Sequence, residues 1–263
     1  MREICLIGNS HVAALKLGLD HRLAEGSIHH CRFSIFGSRA QKLKRARVRD
    51  GRVMPHPRQP EKNFDHQSGP HEYLDLDAFD EIYMTVGTRP DQFPHFNPWF
   101  ILNYAGEIQQ DLRLISQETI SAIVDNTLNG QWFSHLVRQI LTHSQRPKLY
   151  FLGCPFWSTK DPRCQNLLGQ IKHKDSAHLR QTLSRLQGEI AKVIQSRETE
   201  RFRLPPPPKH LLDPTQTATL HHYCVDSVAL SSDFDTKHKA QDYRHMNAEY
   251  GRAMIDWIVD GAD

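Results

Sequence analysis

The chain has 263 residues, 38% of them hydrophobic and 24% charged, enough to bury a full core without disulfide or metal staples. Its formal charge of +3 falls well short of the basic footprint of a nucleic-acid binder. No apolar run approaches the roughly 20 residues of a membrane span, so neither nucleic acid nor membrane is an expected partner.

In chain order, "EICLIG" reads as a buried strand and "HVAALKLGLDHRLAEG" as the helix after it, ending near Gly26. "IHHCRFSIFGS" is a second strand, ending at Gly37. Residues 39–75 then break the pattern: the segment is basic, rich in Pro and His, and poor in apolar residues. It reads as an insertion, either a solvated one or a flap beside the site, and its "VRDGRV" stretch predicts a small hairpin around Asp-Gly. "FDEIYMTVG" is a third strand, ending at Gly87. In "QWFSHLVRQILTHS", Phe133, Leu136, Val137, Ile140 and Leu141 repeat with helical spacing. "KLYFLGCPFW" is a fourth strand, ending near Gly153 to Pro155. Leu179, Leu183, Leu186, Ile190 and Val193 mark one face of a helix in "SAHLRQTLSRLQGEIAKVIQS". A weaker fifth strand lies near Leu204 or in "HLLD", next to the rigid connector "RLPPPPKH". A last helix, "NAEYGRAMIDWIVDG", closes the chain.

Strands alternating with helices predict one α/β domain over 1–263, with a mostly parallel sheet of about five strands covered on both faces. In such sheets function collects at the carboxyl ends of the strands, where Gly8, Gly37, Gly87 and Gly153 fall. The five cysteines are odd in number and none pairs at metal-ligand spacing, so they read as buried free thiols in a reducing compartment. The first apolar stretch is too short for the apolar core of a signal peptide, and a cytoplasmic location is expected.

The turn after the first strand, Gly8-Asn9-Ser10, has two readings. Asn and Ser suit a helix N-cap, and a serine at a helix's positive end suits a nucleophile. "GNSHVAALKLG" matches neither dinucleotide fingerprint nor P-loop. Near the other end, Asp242 and His245 stand three apart, a spacing at which a carboxylate can turn back to an imidazole nitrogen. Read alone, they are equally a surface pair at a helix start. His221, His222 and Cys224 have no second cluster to complete a metal site, so no metal is expected. Trp99, Phe100, Phe156 and Trp157 follow strands three and four, either as core or as an aromatic wall for an acyl or sugar group.

Taken together, Gly8-Asn9-Ser10 and Asp242-Tyr243-Arg244-His245 resemble the G-D-S and D-x-x-H blocks of the SGNH/GDSL hydrolase superfamily. Chain order, strand context and the Asn at 247 agree with it. The resemblance implies a flavodoxin-like three-layer α/β/α sandwich and a serine esterase or deacylase without a cofactor. It implies Ser10 as nucleophile, His245 as base and Asp242 as the carboxylate that orients it. The oxyanion would be held by the N–H groups of Ser10 and Gly37. The family's third block is G-x-N, whereas this chain has Gly87-Thr88-Arg89. Arg89 is therefore the expected replacement donor, with Asn97 or Asn103 as alternatives. Asn9, His11, Gly87 and Thr88 are the expected substrate contacts. The absence of an apolar lid and the basic insertion favour a small acyl group, such as acetyl, on a polar carrier such as a glycan. A sugar O-acyltransferase on the same scaffold and a non-catalytic sugar- or nucleotide-binding protein remain open.

Overall fold

The computed structural model describes residues 1–37, 43–54, 73–92, 117–131, 133–162, 164–165, 176–214, 216, 218–229 and 236–261, with 176–185 described as backbone only. Its strands are β1 (Arg2–Gly8), β2 (Cys31–Gly37), β3 (Arg47–Arg49), β4 (Arg52–Met54), β5 (Leu74–Asp75), β6 (Glu81–Thr85), β7 (Lys148–Phe151) and β8 (Phe202–Arg203). Its α-helices are α1 (Val12–Ala24), α2 (Gln117–Gly130), α3 (Phe133–His143), α4 (Ser176–Arg197) and α5 (Ala248–Asp260). Five strands form one parallel sheet in the order β2-β1-β6-β7-β8. The order reverses direction at β1, and that is where an open α/β sheet forms its crevice.

Each central strand is apolar on both faces because both faces are covered. Cys5, Ile7, Ile82, Met84, Leu149 and Phe151 point into one core with Val124, Phe133, Ile140, Leu186 and Ile190 of α2, α3 and α4. Ile4, Leu6, Tyr83 and Tyr150 point the other way, into a second core with Val12, Leu15 and Leu19 of α1 and Met254, Ile255 and Ile258 of α5. The result is the three-layer α/β/α sandwich that the alternation predicted.

Two glycines set the α1–α5 contact. A Cβ at Gly251 would overlap the Ala14 carbonyl, and one at Gly18 would overlap the backbone of Gly251 and Arg252. Farther along, Arg22 pairs with Asp256. The contacts climb both helices in the same direction, so the helices run parallel and begin at the same end of the sheet. That end carries Ser10, just before α1, and His245, just before α5.

The hairpin read in "VRDGRV" is present as β3 and β4, with Asp50 and Gly51 both at positive φ (50° and 69°), the requirement of a two-residue primed turn. β5 adds a third antiparallel strand. Val48 and Val53 are buried in the α2–α4 core, so this part of the insertion is neither solvated nor a flap over the site. Val48 N–H donates to Gln139 of α3 at 2.9 Å. The Gly51 carbonyl accepts from Leu76 N–H at 2.8 Å, beside Asp77, near the amino ends of β6 and β7. Ser10 lies at the carboxyl ends. Within the insertion, 39–42 and 55–72 lie outside the described residues.

Candidate functional site

β1 ends where Gly8 must: a Cβ there would overlap Thr85 of β6 and crowd Val12. The turn that follows is held by its own backbone and by Asn9. Val12 N–H donates to Asn9 O (3.0 Å) and His11 N–H to Asn9 Oδ1 (3.2 Å). His11 occupies the N-cap position without a side-chain cap. The Ser10 hydroxyl is therefore not spent on the helix, and the cap reading of Ser10 is corrected: Asn9 holds the turn and Ser10 faces elsewhere.

Ser10 Oγ lies 2.9 Å from His245 Nε2, a contact that joins residues 235 positions apart. His245 Nδ1 lies 2.8 Å from Asp242 Oδ2. The carboxylate's other oxygen accepts from the backbone N–H groups of Arg244 (2.9 Å) and His245 (3.1 Å), an Asx turn that fixes the carboxylate under the ring. Burial alone would raise the Asp242 carboxyl, but the hydrogen bonds from Arg244 N–H, the His245 ring and His245 N–H outweigh it and hold the carboxyl at about 2. Asp242 is therefore ionised and only accepts. The proton sits on His245 Nδ1, and Nε2 turns a lone pair toward the serine hydroxyl. Asn247 then caps α5 by accepting from Tyr250 N–H (3.1 Å), and its amide donates to His222 O and Val225 O.

The His245 ring is sandwiched. His11 stacks on it with ring centroids 5.0 Å apart, and His238 with centroids 3.9 Å apart and planes 10° from parallel. His238 Nδ1 also lies 3.4 Å from Asp242 Oδ2. Burial, then the neighbouring His245, push the His11 imidazole down to about 3, so it is neutral. His238 and Arg244 were missed as site neighbours by the sequence reading. His238 stands four residues before Asp242, a signal hidden among 17 histidines. Arg244 lies over the half-buried Trp157 ring, 5.4 Å from its centroid. Phe156, by contrast, is buried in the core.

His238, Asp242 and His245 each offer a ligand atom within 4.8 Å of the others. The two rings are nearly parallel and stacked, so no single point lies in both ring planes, as chelation through their nitrogen lone pairs requires. The trio does not fit a metal ion without breaking the stack.

Arg89 is not where the sequence reading expected it. Its side chain is buried and all its N–H groups are committed. Nε and one terminal nitrogen hold Asp91 at 2.9–3.0 Å, that terminal nitrogen also reaches Leu204 O (3.5 Å), and the other donates to Phe151 O (3.1 Å) and Pro205 O (2.8 Å). It ties the carboxyl end of β7 to the segment after β8 and has no donor left for an oxyanion. Thr88 is likewise engaged through its backbone, exchanging two 2.9 Å bonds with the Gln131 amide, and Gly87, at φ 74°, packs against Phe133. Gly37 lies opposite Gly8 at the end of β2. No described residue accepts from the Ser10 backbone N–H. Among the described residues, the Asn9 amide nitrogen meets only the weak acceptor Cys154 Sγ, at 4.0 Å. Asn97, Asn103, Trp99 and Phe100 lie outside the described residues.

No described helix is long and apolar enough to cross a membrane. All five cysteines are free; Cys154 alone is half-buried, and burial pushes its thiol up to about 12.

No protein-family model matches the chain, and no curated protein matches it. Among solved structures it is similar to a carbohydrate esterase family 2 enzyme with a carbohydrate binding domain from Corynascus thermopiles (Myceliophthora fergusii). The likeness is at 15% identity and a TM-score of 0.36, over 99% of this chain and 65% of that one, so the chain spans about two thirds of that protein's length.

Proposed function

We propose that the chain is an SGNH-type serine ester hydrolase. The observation that carries this reading is the relay Ser10–His245–Asp242, at 2.9 and 2.8 Å, with an ionised carboxylate fixing the tautomer of the base. His245 Nε2 takes the hydroxyl proton as Ser10 Oγ bonds to the carbonyl carbon. Asp242 stabilises the imidazolium, which then gives its proton to the departing alcohol. An acyl-serine remains, and water, activated by the same His245, releases the acid. The Ser10 N–H, the Gly37 N–H and the Asn9 amide are the donors assigned to the oxyanion, at the positive end of α1. Arg89 is withdrawn from that role.

The favoured substrate is a small acyl ester, such as acetyl, on a polar carrier such as a carbohydrate. The half-buried Trp157 face with Arg244 above it, one residue before the base, supplies an aromatic and cationic platform for such a carrier.

A fluorophosphonate probe with mass spectrometry, and hydrolysis of p-nitrophenyl acetate, test the reading. Ser10 is expected to be the labelled residue, and Ser10→Ala to lose about 10⁴-fold or more in turnover. An unlabelled Ser10, with Ser10→Ala as active as the parent, rejects it. Acyl transfer to added glycans in preference to water would move the reading to an acyltransferase.

A further inference from the structure

A short antiparallel ladder presents His238 to the base. Val228 bridges Lys237, Ala229 N–H donates to Thr236 O at 2.7 Å, and His238 N–H donates to Ser227 O at 2.9 Å. Asp242 N–H then donates to Lys239 O at 2.8 Å, a turn that folds Asp242 back beneath His238. Two imidazoles thus approach one carboxylate oxygen, His245 at 2.8 Å and His238 at 3.4 Å, with their rings stacked at 3.9 Å. His11 closes the other face of His245. We propose that His238 is a positioning residue for the base, holding the His245 ring in line with Ser10 and Asp242 by stacking on the face opposite His11.

The inference rests on the hydrolase reading above, because it assigns His245 as the base. His238 Nδ1 meets Asp242 Oδ2 across the stack, out of its own ring plane, so this is an electrostatic contact and not a second hydrogen bond to the carboxylate. A proton on His238 would put a second cation against the His245 ring face, where like charges oppose one another. Burial and the nearby His245 hold His238 itself below the usual histidine range, so it favours the neutral form there. Among the described residues, the other titratable or charged groups facing the pair are Asp242 and Arg244 from their own loop and His11 from the turn before α1; the Cys224 thiol feels the Asp242 charge.

The test is the rate of Ser10 phosphonylation by a fluorophosphonate, which needs no knowledge of the substrate. In that step the P–F bond breaks, a bond from Ser10 Oγ to phosphorus forms, fluoride leaves, and the serine proton passes to His245. His238→Phe keeps a flat ring in the stack, and His238→Ala removes it. The Ala protein is expected to lose about tenfold or more in labelling rate, because the His245 ring is no longer held, and the Phe protein to return toward the parent. His238→Gln has no ring and is expected to follow the Ala protein. Thermal melting identifies the variants that fold, and the Ala and Gln pair suffices if the Phe protein does not. Parental rates in the folded Ala and Gln proteins overturn the proposal while leaving the hydrolase reading intact. A parent protein whose Ser10 is never labelled overturns both.

Discussion

Arg89 shows what a residue's neighbours in the chain leave out. Its place two residues after Gly87 matches the family's oxyanion asparagine, but position along the chain does not fix where a long side chain points. Gly153 decides it: a Cβ there would overlap the Arg89 stem, and its absence lets the guanidinium pass beneath the end of β7 to Phe151 O, Pro205 O and Asp91. The guanidinium is a brace, so Arg89→Met is expected to cost stability rather than chemistry. It would leave Asp91 without its partner and two carbonyls without donors. A loss of about 3 kcal/mol in urea unfolding is expected, of the kind seen when half of a buried pair is removed. Protein that remains folded should be phosphonylated at Ser10 at the parental rate. A stable Arg89→Met protein with a large loss of rate would return Arg89 to the oxyanion. The Ser10–His245–Asp242 contacts were legible because two short polar motifs, each ordinary alone, sit before the first and last helices. Their stacking partners were not, since nothing in the one-dimensional pattern separates His238 from the other histidines.

Between elements, the contact that matters most is α1 on α5, because it sets the distance from Ser10 to the proposed base, His245. Ala14, Gly18 and Gly251 let the two backbones touch, and that contact draws the starts of both helices together. Gly251→Ala puts a methyl group into the Ala14 carbonyl, so one helix must move by a fraction of a turn's width. A destabilisation of about 1–3 kcal/mol is expected from such overpacking. A larger proportional loss is expected in Ser10 reactivity, since a 1 Å misplacement at a reacting pair costs on the order of 10²-fold. Melting curves and phosphonylation rates on the same samples check it; unchanged rates would mean that the pair is positioned by the loops alone. The sheet was legible because its central strands are short apolar runs that stop at glycines, and α3 and α5 because each has one apolar face. α2 escaped notice: only Ile120 and Val124 are fully buried, in a stretch diluted by Thr, Asn and Ser of poor helix propensity. β8, two residues long, exists by pairing with β7 rather than by its own pattern. The hairpin was legible from Asp50-Gly51, but its packing on α3 was not, because Val48 and Val53 alone carry its apolar face.

Across the whole molecule, the proposed site is also where the two ends of the chain meet, so the protein's stability and its chemistry share titrating groups. His11 is the chief one. Its imidazole sits against His245 at the foot of α1, and burial holds it neutral to about pH 3, against 6.5 for a free histidine. The unfolded chain therefore binds a proton that the folded chain refuses. This contribution is complete above pH 6.5 and is lost as pH falls from there toward 3, at up to about 1.4 kcal/mol per pH unit. His238, also lowered, acts in the same direction. Asp242 adds a loss of the same sign in a separate window, because its carboxyl is depressed from 3.8 to about 2 and its contribution fades only below pH 3.8. From pH 6.5 to 4 the decline belongs to the histidines. His11→Phe keeps an aromatic ring in the stack and removes the proton, so its unfolding free energy is expected to fall less steeply over that range, by close to one proton's slope. Urea titrations of parent and variant at pH 7, 6, 5 and 4 measure the difference directly. Parallel lines would mean that His11 is protonated in the folded protein, which would place a cation against the face of His245. A cation there would oppose the imidazolium that His245 becomes on taking the serine proton in the proposed reaction, so the stability curve also bears on that proposal, without any substrate.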